Sequence, residues 1–283
     1  MTFSTQSGVA VSISLLVLKE TYAPVILERK AAKMRKDTGD DRYHSRLAKA
    51  GTPRELFFSA IIRPARLFIF SPIVALSCLY VATTYGLLYL LFTTFTFVYK
   101  DVYGFGPVGA GLSFIAGGVG NLLGLVLVGY WSDKVIQKAK ANGQSAQPEQ
   151  RLDLTLTVPT TISLPIGLII YGWTAEKQVH WIVPMIGTGI MGFGMIGIFM
   201  AMQTYLVDAF TPYAASVTAA NAVLRSILGA LLPLCGLQLY DSLGLGWGNT
   251  LLGFIALALA PVPWLLHWHG AKLRNHPKFQ KEF

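Results

Sequence analysis

Charged residues are scarce in this chain, and long stretches have none. Only 13% of the 283 residues are Asp, Glu, Lys or Arg, about half the fraction typical of soluble domains. A helix that crosses the ~30 Å hydrocarbon core of a membrane needs about 20 apolar residues. Five long stretches have no charged residue: 67–99, 102–132, 154–175, 178–207 and 242–271. In a sixth stretch, residues 209–240, Arg225 is the single charged residue. We therefore expect an all-α, polytopic membrane helical bundle with six long transmembrane helices.

Other absences exclude further classes of protein. The charge-free stretches are too long for buried strands, and they lack the alternation of a transmembrane barrel. Both cysteines, Cys78 and Cys235, fall within apolar stretches, so we expect no disulfide framework and no metal site. The spans offer no histidine cluster, carboxylate pair or activated nucleophile, so we expect neither an enzyme nor a cofactor.

The net charge of +9 follows the expected topology. Of the 23 Lys and Arg residues, 20 lie in three segments on one side of a six-span bundle, and Lys100 and Lys177 lie on the other side. Positive charge marks the cytoplasmic side of a membrane protein. We therefore expect the N-terminal linker, the loop at 132–153 and the C-terminus to be cytoplasmic. The basicity then indicates topology, and we expect no nucleic acid as a partner.

The composition divides the chain into four segments. Residues 1–18 resemble the remnant of a preceding transmembrane helix, 19–66 form a basic cytoplasmic linker, 67–271 the six-helix bundle, and 272–283 a basic cytoplasmic tail. In the linker, "APVILERKAAKMRKDTGD" could form an amphipathic interfacial helix or a solvated charged segment. The long spans are expected at about 72–98, 109–131, 154–173, 181–206, 214–239 and 248–268.

Small residues recur at helical spacing in two spans. Ala116, Gly120 and Gly124 share one face of the second span and permit close helix approach. The fourth span contains "GTGIMGFGMIG", where Gly192 and Gly194 predict either a bending element that serves gating or plain close packing.

Several motifs in order carry a family resemblance: "ETYAPVILERKAAKMRKDTGD", "GLSFIAGGVGNLLG", "GYWSDK", "YLVDAF" and "AANAVLRSILGALLPL". They resemble fungal drug:proton antiporters of the major facilitator superfamily, which include multidrug, polyamine and secondary-metabolite exporters. The resemblance covers only the second six-helix half of a twelve-helix fold, plus the end of the sixth helix. It therefore implies a C-terminal half, with a missing N-terminal half or a partner subunit as its complement.

The resemblance implies that the first, second, fourth and fifth spans line a substrate cavity. The faces of aromatic rings suit flat amphiphilic substrates, although aromatic side chains can also face lipid. Amide side chains within a span can either bind substrate or join helices. The candidate cavity residues, apart from Arg225, are Tyr85, Tyr89, Phe92, Asn121, Gln203 and Asn221.

Arg225 is the strongest single signal in the chain. It lies about twelve residues, or ~18 Å, from the cytoplasmic start of its span. A charge at that depth costs about 2.5–3.5 kcal/mol on insertion scales and requires a partner. Asn221, one turn earlier, could orient the guanidinium; the counter-charge could lie in the absent half, in a substrate or in helix carbonyls. This position is compatible with two roles for Arg225: a structural or gating role, or direct contact with the substrate.

A gate is expected at the cytoplasmic end of the second span. In "GYWSDK", Gly129, Asp133 and Lys134 match the superfamily's short-loop signature. Asp133 could bond helix N-termini or basic residues when the gate is closed, or it could be a solvated helix end.

The expected function is therefore proton-coupled efflux of small amphiphilic compounds across the lipid bilayer of the plasma membrane. No acid or histidine lies deep in a span, so the sequence shows no proton carrier. The alternative is a truncated, non-transporting membrane protein that associates with a full-length transporter.

Overall fold

The computed structural model describes residues 23–40, 42–45, 53–141 and 147–274, with isolated positions at 8, 11, 14, 17, 20 and 143. Within these residues the chain is helical and contains no strand. It divides into two compact units, residues 1–58 and 59–283. The predicted helix remnant at 1–18, apart from isolated positions, and most of the tail at 272–283 lie outside the described residues.

The first unit contains the helix expected in the basic linker. Helix α1 spans Ala23–Thr38, and Arg35 near its end pairs with Glu28 at 3.0 Å. The same guanidinium donates a hydrogen bond to the Tyr43 carbonyl at 2.8 Å. This bond ties the segment after the helix back to its last turn. The interfacial position of α1 stays a prediction.

Apart from α2, which lies mostly in the predicted basic linker, the remaining helices contain the predicted charge-free stretches. Prolines at the first helical position begin several of them, where a missing N–H costs nothing. Helix α2 begins in the first unit, and α3 continues as a π-helix over Val98–Val102. The helices are α2 Pro53–Phe70, α3 Pro72–Phe97, α4 Pro107–Leu112, α5 Phe114–Ala141, α6 Leu154–Glu176, α7 Ile182–Ala209, α8 Ala214–Leu259 and α9 Pro261–Arg274, with 3₁₀ turns at Pro148–Leu152 and Thr211–Tyr213.

Five helical segments in the described part of the chain are long and apolar enough to cross a membrane. The last of them, Thr211–Arg274, has 64 residues, enough for two crossings at about 20 residues each. Gly244 divides it with φ 75° and ψ 173°, a conformation that favours glycine. Across this turn, the hydroxyl of Tyr240 donates a hydrogen bond to Asn249 Oδ1 at 3.1 Å. The chain therefore folds back at Gly244. The expected all-α membrane bundle is confirmed.

Close backbone approaches fix the direction of the packed helices. A Cβ on Gly192 of α7 would lie 2.7 Å from the Gly117 carbonyl, while one on Gly197 would lie 3.0 Å from Val128, so α5 and α7 run parallel. Helix α3 is also parallel to the first arm of α8, which is the part of α8 before Gly244. Gly86 of α3 lies against Leu232, and Leu90 of α3 lies against Gly236, so residue numbers rise in the same direction in both. Helix α6 is antiparallel to α7. The expected close packing of Gly120 and Gly124 occurs here, against Gly189 and Phe193 of α7.

Two hydrophobic clusters form the core of the second unit. One contains the second half of α3 with α6, including Phe95, Leu168 and Tyr171. The other contains the first half of α3 with α7 and α9, including Met202 and Leu266. Tyr85 packs against both clusters. It therefore lies midway along the bundle, where the cavity was expected.

The cytoplasmic loop predicted at 132–153 is shorter and more ordered than the polar sequence suggested. Helix α5 continues to Ala141, and Pro148–Leu152 forms a 3₁₀ turn with buried Leu152 and Glu149. Polar composition alone had indicated a solvated loop; contacts with distant helices order its second half.

Candidate functional site

Arg225 meets aromatic rings midway along the bundle. Its guanidinium carbon lies 4.5 Å from the centre of the Tyr85 ring and 5.7 Å from that of Phe199. The two rings pack edge to face with their centres 5.0 Å apart. The negative faces of aromatic rings attract a cation, most strongly where water is excluded. The sequence offered three kinds of partner for Arg225, and aromatic rings were not among them.

The depth of the two residues agrees. Arg225 lies about 17 Å along α8 from Ala214, and Tyr85 about 20 Å along α3 from Pro72, at 1.5 Å per residue. Because α3 and the first arm of α8 are parallel, these similar distances from the helix starts put the two side chains at the same level. Arg225 as a whole residue is half-buried at this level.

The aromatic stripe of α3 extends from this arginine. Tyr85 and Tyr89 lie with ring centres 6.5 Å apart, and Phe92 follows at 6.4 Å from Tyr89. Phe92 then packs against Phe114 of α5 at 5.7 Å. Tyr89 is 46% exposed, while the opposite side of α3 is buried in the core. The stripe predicted from helical spacing therefore forms one open aromatic surface.

An amide chain joins α7 to α8 near this surface. Asn221 Nδ2 donates to Gln203 Oε1 at 2.7 Å, and Gln203 Nε2 donates to Thr218 Oγ1 at 3.0 Å. Asn221 is buried, and among the described residues its Oδ1 has no hydrogen-bond partner. Asn221 is thus held by Gln203, although the sequence suggested that it would orient Arg225. The chain uses both amides to join helices, as in-span amides commonly do.

Asn121 lies apart from this group. It is on the face of α5 that packs against α7, where a Cβ on Gly192 would lie 3.1 Å from its Oδ1. That oxygen is buried without a partner among the described residues. The structure therefore brings together Tyr85, Gln203, Asn221 and Arg225 but does not bring Asn121 to them.

The glycines expected to bend α7 lie in a continuous helix. Gly192 faces α5, and a Cβ on Gly194 would lie 2.5 Å from the Thr160 carbonyl of α6. The spaces at both positions are filled by neighbouring backbones. This arrangement favours close packing over a bend at this point, and a gating role for the two glycines stays a prediction.

Helices α5 and α7 are joined near Asp133 and Asp208 by Arg151, which precedes α6. Its NH1 bonds Asp133 Oδ1 at 2.8 Å and its Nε bonds Asp208 Oδ2 at 2.9 Å. NH1 also donates to Ser132 Oγ at 3.2 Å. Burial alone would lower the pKa of Arg151, but the hydrogen bonds and charges of the two carboxylates outweigh it and raise that pKa. The guanidinium is therefore held in its charged form as the centre of an ion-pair network.

The other two residues of the short-loop signature have different surroundings. Lys134 Nζ lies 5.9 Å from the centre of the Tyr130 ring, and nothing within 4 Å would meet a Cβ on Gly129. Only Asp133 enters the network. The sequence left helix N-termini, basic residues or solvent as surroundings for Asp133, and it did not identify Arg151 or Asp208, which lie 18 and 75 positions away along the chain.

A buried carboxylate that the sequence did not indicate lies beside this network. Glu149 is 5% exposed, and its Oε2 lies 3.5 Å from Arg274 NH2. His267 Nδ1 lies 2.9 Å from the Glu149 backbone oxygen. The 3₁₀ turn is therefore tied to α9 through Glu149 and to α5 and α7 through Arg151. No local pattern predicts this burial, because every partner lies far along the chain.

Comparison with known proteins agrees with this architecture. Residues 3–233 match the Major Facilitator Superfamily. The MFS-type transporter penM of Penicillium rubens is 50% identical over 277 residues, which cover 98% of this chain and 54% of that protein. The MFS-type transporter tndD of Aspergillus flavipes is 47% identical over 266 residues, covering 93% and 49%. The MFS transporter cpaT of Aspergillus oryzae is 47% identical over 276 residues, covering 97% and 55%.

The chain thus spans about half the length of these relatives. The match covers the helices that carry Arg225, the aromatic stripe and the Arg151 network. The chain is an integral membrane protein that belongs to the major facilitator superfamily of transporters.

Proposed function

We propose that this chain is the C-terminal half of a secondary exporter of small amphiphilic organic compounds such as drugs, polyamines or secondary metabolites. The observation that carries the proposal is Arg225, half-buried midway along the bundle against Tyr85 and Phe199. In transporters built from two bundles, substrate sites lie near the bilayer midplane between the bundles. Arg225 and the open aromatic stripe lie at that level.

The chemistry of the site suits an amphiphile with a flat apolar part. The exposed rings of Tyr89 and Phe92 offer surfaces for stacking. Arg225 has five N–H donors, and ring faces attract its charge without neutralising it. It can therefore also donate to a carbonyl, carboxylate or phenolate group on the substrate. Aromatic surface and cation together recognise a molecule with one apolar and one polar end.

Arg151 supports a gate at the cytoplasmic end. Its bonds to Asp133 and Asp208 join α5 to α7 next to solvent. Ion pairs at that depth can separate because water can solvate the released charges. In the proposed cycle the network holds the cytoplasmic ends together in one state and opens in the other. Gly129 and Lys134 flank the network, and the glycines of α7 allow the close helix contacts that move with it.

Proton coupling requires a titratable group that is alternately exposed to the two sides. In the charge-free stretches of this sequence there is no carboxylate. We propose that the coupling group belongs to the half of the relatives that this chain does not match. We also propose that the protein lies in the plasma membrane with the linker, the α5–α6 loop and the C-terminus in the cytoplasm, and the basic charge of these segments supports that orientation.

A second candidate is a truncated protein that does not transport and instead associates with a full-length transporter. The exposed side of α5, where Val119, Leu122 and Val126 are each more than half exposed, offers an apolar surface that lipid or a partner bundle can cover. Either the complementary half or another transporter could cover this side. The two candidates therefore differ in activity and in the partner that each proposes.

The test is efflux of a fluorescent amphiphile from yeast that lack their own multidrug exporters. The chain is expressed alone and together with the unmatched half of penM from Penicillium rubens. The proposal expects efflux from the pair, and loss of it on Arg225→Gln but not on Leu234→Ala, a control on the exposed side of the same helix. No efflux from a pair that assembles would refute the proposal. Co-purification with a full-length transporter would then support the second candidate.

A further inference from the structure

Helix α2 has two sides with opposite surroundings. On one side, Leu67 is fully buried in the core cluster that contains the first half of α3. At 100° per residue, Ile61, Ile62 and Ile69 lie on the opposite side. Their side chains are 58%, 48% and 70% exposed. Near its C-terminal end, α2 thus packs on the bundle through Leu67, while the opposite side of the helix presents a row of large apolar side chains.

The junction with α3 interrupts the helix between α2 and the following span. Ser71 separates the two helices in an extended conformation, with φ −107° and ψ 107°. Helix α3 begins at once with Pro72, so no linker intervenes. An extended residue between two helices changes the direction of the axis. Helix α2 is therefore attached directly to a membrane span but does not continue it.

Two arginines in the second half of α2 lie at one border of the apolar row. Arg66 is exposed, and Arg63 lies over the Tyr213 ring at 5.5 Å. On the helix circumference both arginines fall between the row and the buried Leu67 side. A helix that lies on a membrane has this distribution, with apolar residues in the acyl-chain boundary and basic residues at the phosphate level.

We propose that α2 lies in the cytoplasmic surface of the bilayer and that Arg66 binds the phosphate of an anionic phospholipid there. Continuity with α3 brings the apolar row to the membrane boundary, and the arginine matches the negative charge of that leaflet. The proposal rests on membrane insertion and on the cytoplasmic orientation of the basic segments. Transport activity does not enter it.

Cysteine accessibility tests this position. Cys78 and Cys235 are replaced by Ala and Ser, and single cysteines are placed by Ile62→Cys on the apolar row or Ala60→Cys on the other side. Both positions are exposed in the structure, so neither change disturbs a packed core. The full chain is inserted into lipid nanodiscs with one copy per disc and treated with a membrane-impermeant maleimide. We expect labelling of the Ile62→Cys variant to be at least about tenfold slower than that of the Ala60→Cys variant.

The controls separate lipid from other occupants. After denaturation in SDS, both variants should label at the same rate. Equal rates in nanodiscs would overturn the proposal, because α2 would then project into water. Slow labelling only in discs that hold two copies would also overturn it, since a second chain would then cover the row.

Lipid composition tests the phosphate contact. Phosphatidylserine added to phosphatidylcholine discs should slow the labelling of the Ile62→Cys variant further, by about threefold or more. Adding Arg66→Gln to this variant should remove that increment, while Arg66→Lys should keep most of it. An unchanged rate with Arg66 in place on addition of phosphatidylserine would overturn the anionic-lipid assignment.

Discussion

Arg225 and Arg151 are both partly buried arginines, but they are stabilised by different partners. Arg151 lies beside two carboxylates at one end of the helices, whereas Arg225 lies over two aromatic rings midway along them. Near water, separated ion pairs are readily solvated, so such pairs can open and close. In the membrane interior a separated carboxylate would have no solvent.

The difference assigns the two residues different tasks. The charge of Arg151 is balanced in the described structure, which suits a contact that joins helices. The charge of Arg225 is attracted by ring faces but not cancelled, which suits a contact that awaits a polar group. The following predictions compare the two arginines, in order of decreasing effect on efflux by the chain paired with its complementary half.

Arg225→Ala should have the largest effect. The change removes the guanidinium that we propose contacts the substrate, so we expect efflux to fall about a hundredfold, which corresponds to about 2.7 kcal/mol in the barrier. Folded yield, measured by size-exclusion chromatography in detergent, should fall far less. Leu234→Ala is the matched control on the exposed side of α8. Normal efflux by Arg225→Ala would contradict any role for this residue in transport.

Tyr85→Leu should have the next largest effect. It removes a ring that attracts Arg225, an interaction worth about 1–2 kcal/mol where water is excluded, or about tenfold in efflux. Tyr85→Phe keeps the ring and should change efflux by about twofold or less. If the Phe and Leu variants behave alike, the ring face is not what holds Arg225.

Arg151→Ala should have an intermediate effect that depends on salt. It leaves Asp133 and Asp208 without their shared cation, and partly exposed pairs are worth about 1 kcal/mol or less each. We expect a loss of efflux of several-fold and a lower unfolding temperature by tryptophan fluorescence. At about 1 M salt the Debye length falls to roughly 3 Å, so the difference in unfolding temperature should shrink. The difference in unfolding temperature between Arg225→Ala and the unchanged chain should persist at this salt concentration. If both variants respond to salt in the same way, the two arginines are not stabilised by different kinds of contact.

Ser132→Ala should have the smallest effect. It removes one hydrogen bond to Arg151 at 3.2 Å, worth about 0.5–1 kcal/mol, while both ion pairs remain. Unfolding temperature should change by only about one to two degrees. A loss as large as that of Arg151→Ala would show that the hydroxyl, and not the charges, fixes the guanidinium.

Most of the fold could be predicted from the sequence because membrane spans are encoded locally. A charge-free stretch of sufficient length specifies a helix wherever it lies in the chain, and Ala116, Gly120 and Gly124 indicated close packing by their spacing alone. Gly244 is the exception. The turn that it makes leaves the fifth and sixth predicted spans as arms of one 64-residue segment.

The site could be predicted only in part, because its contacts join distant residues. The aromatic stripe of α3 was visible in the spacing of Tyr85, Tyr89 and Phe92. The approach of Phe199 to Tyr85 and Arg225 depends on how α7 packs, which no local pattern encodes. Glu149 was missed for the same reason: a polar neighbourhood indicated solvent, whereas contacts 118 and 125 positions along the chain bury it.

The most direct test of the central claim is whether an amphiphilic substrate protects the aromatic surface beside Arg225. A single cysteine, introduced by Tyr89→Cys into the chain paired with its complementary half, is labelled with and without a transported fluorescent amphiphile. A cysteine introduced by Leu234→Cys is the control. If the surface lines the substrate cavity, the amphiphile should slow labelling at position 89 and leave position 234 unchanged. Equal labelling at position 89 with and without saturating amphiphile would contradict the assignment.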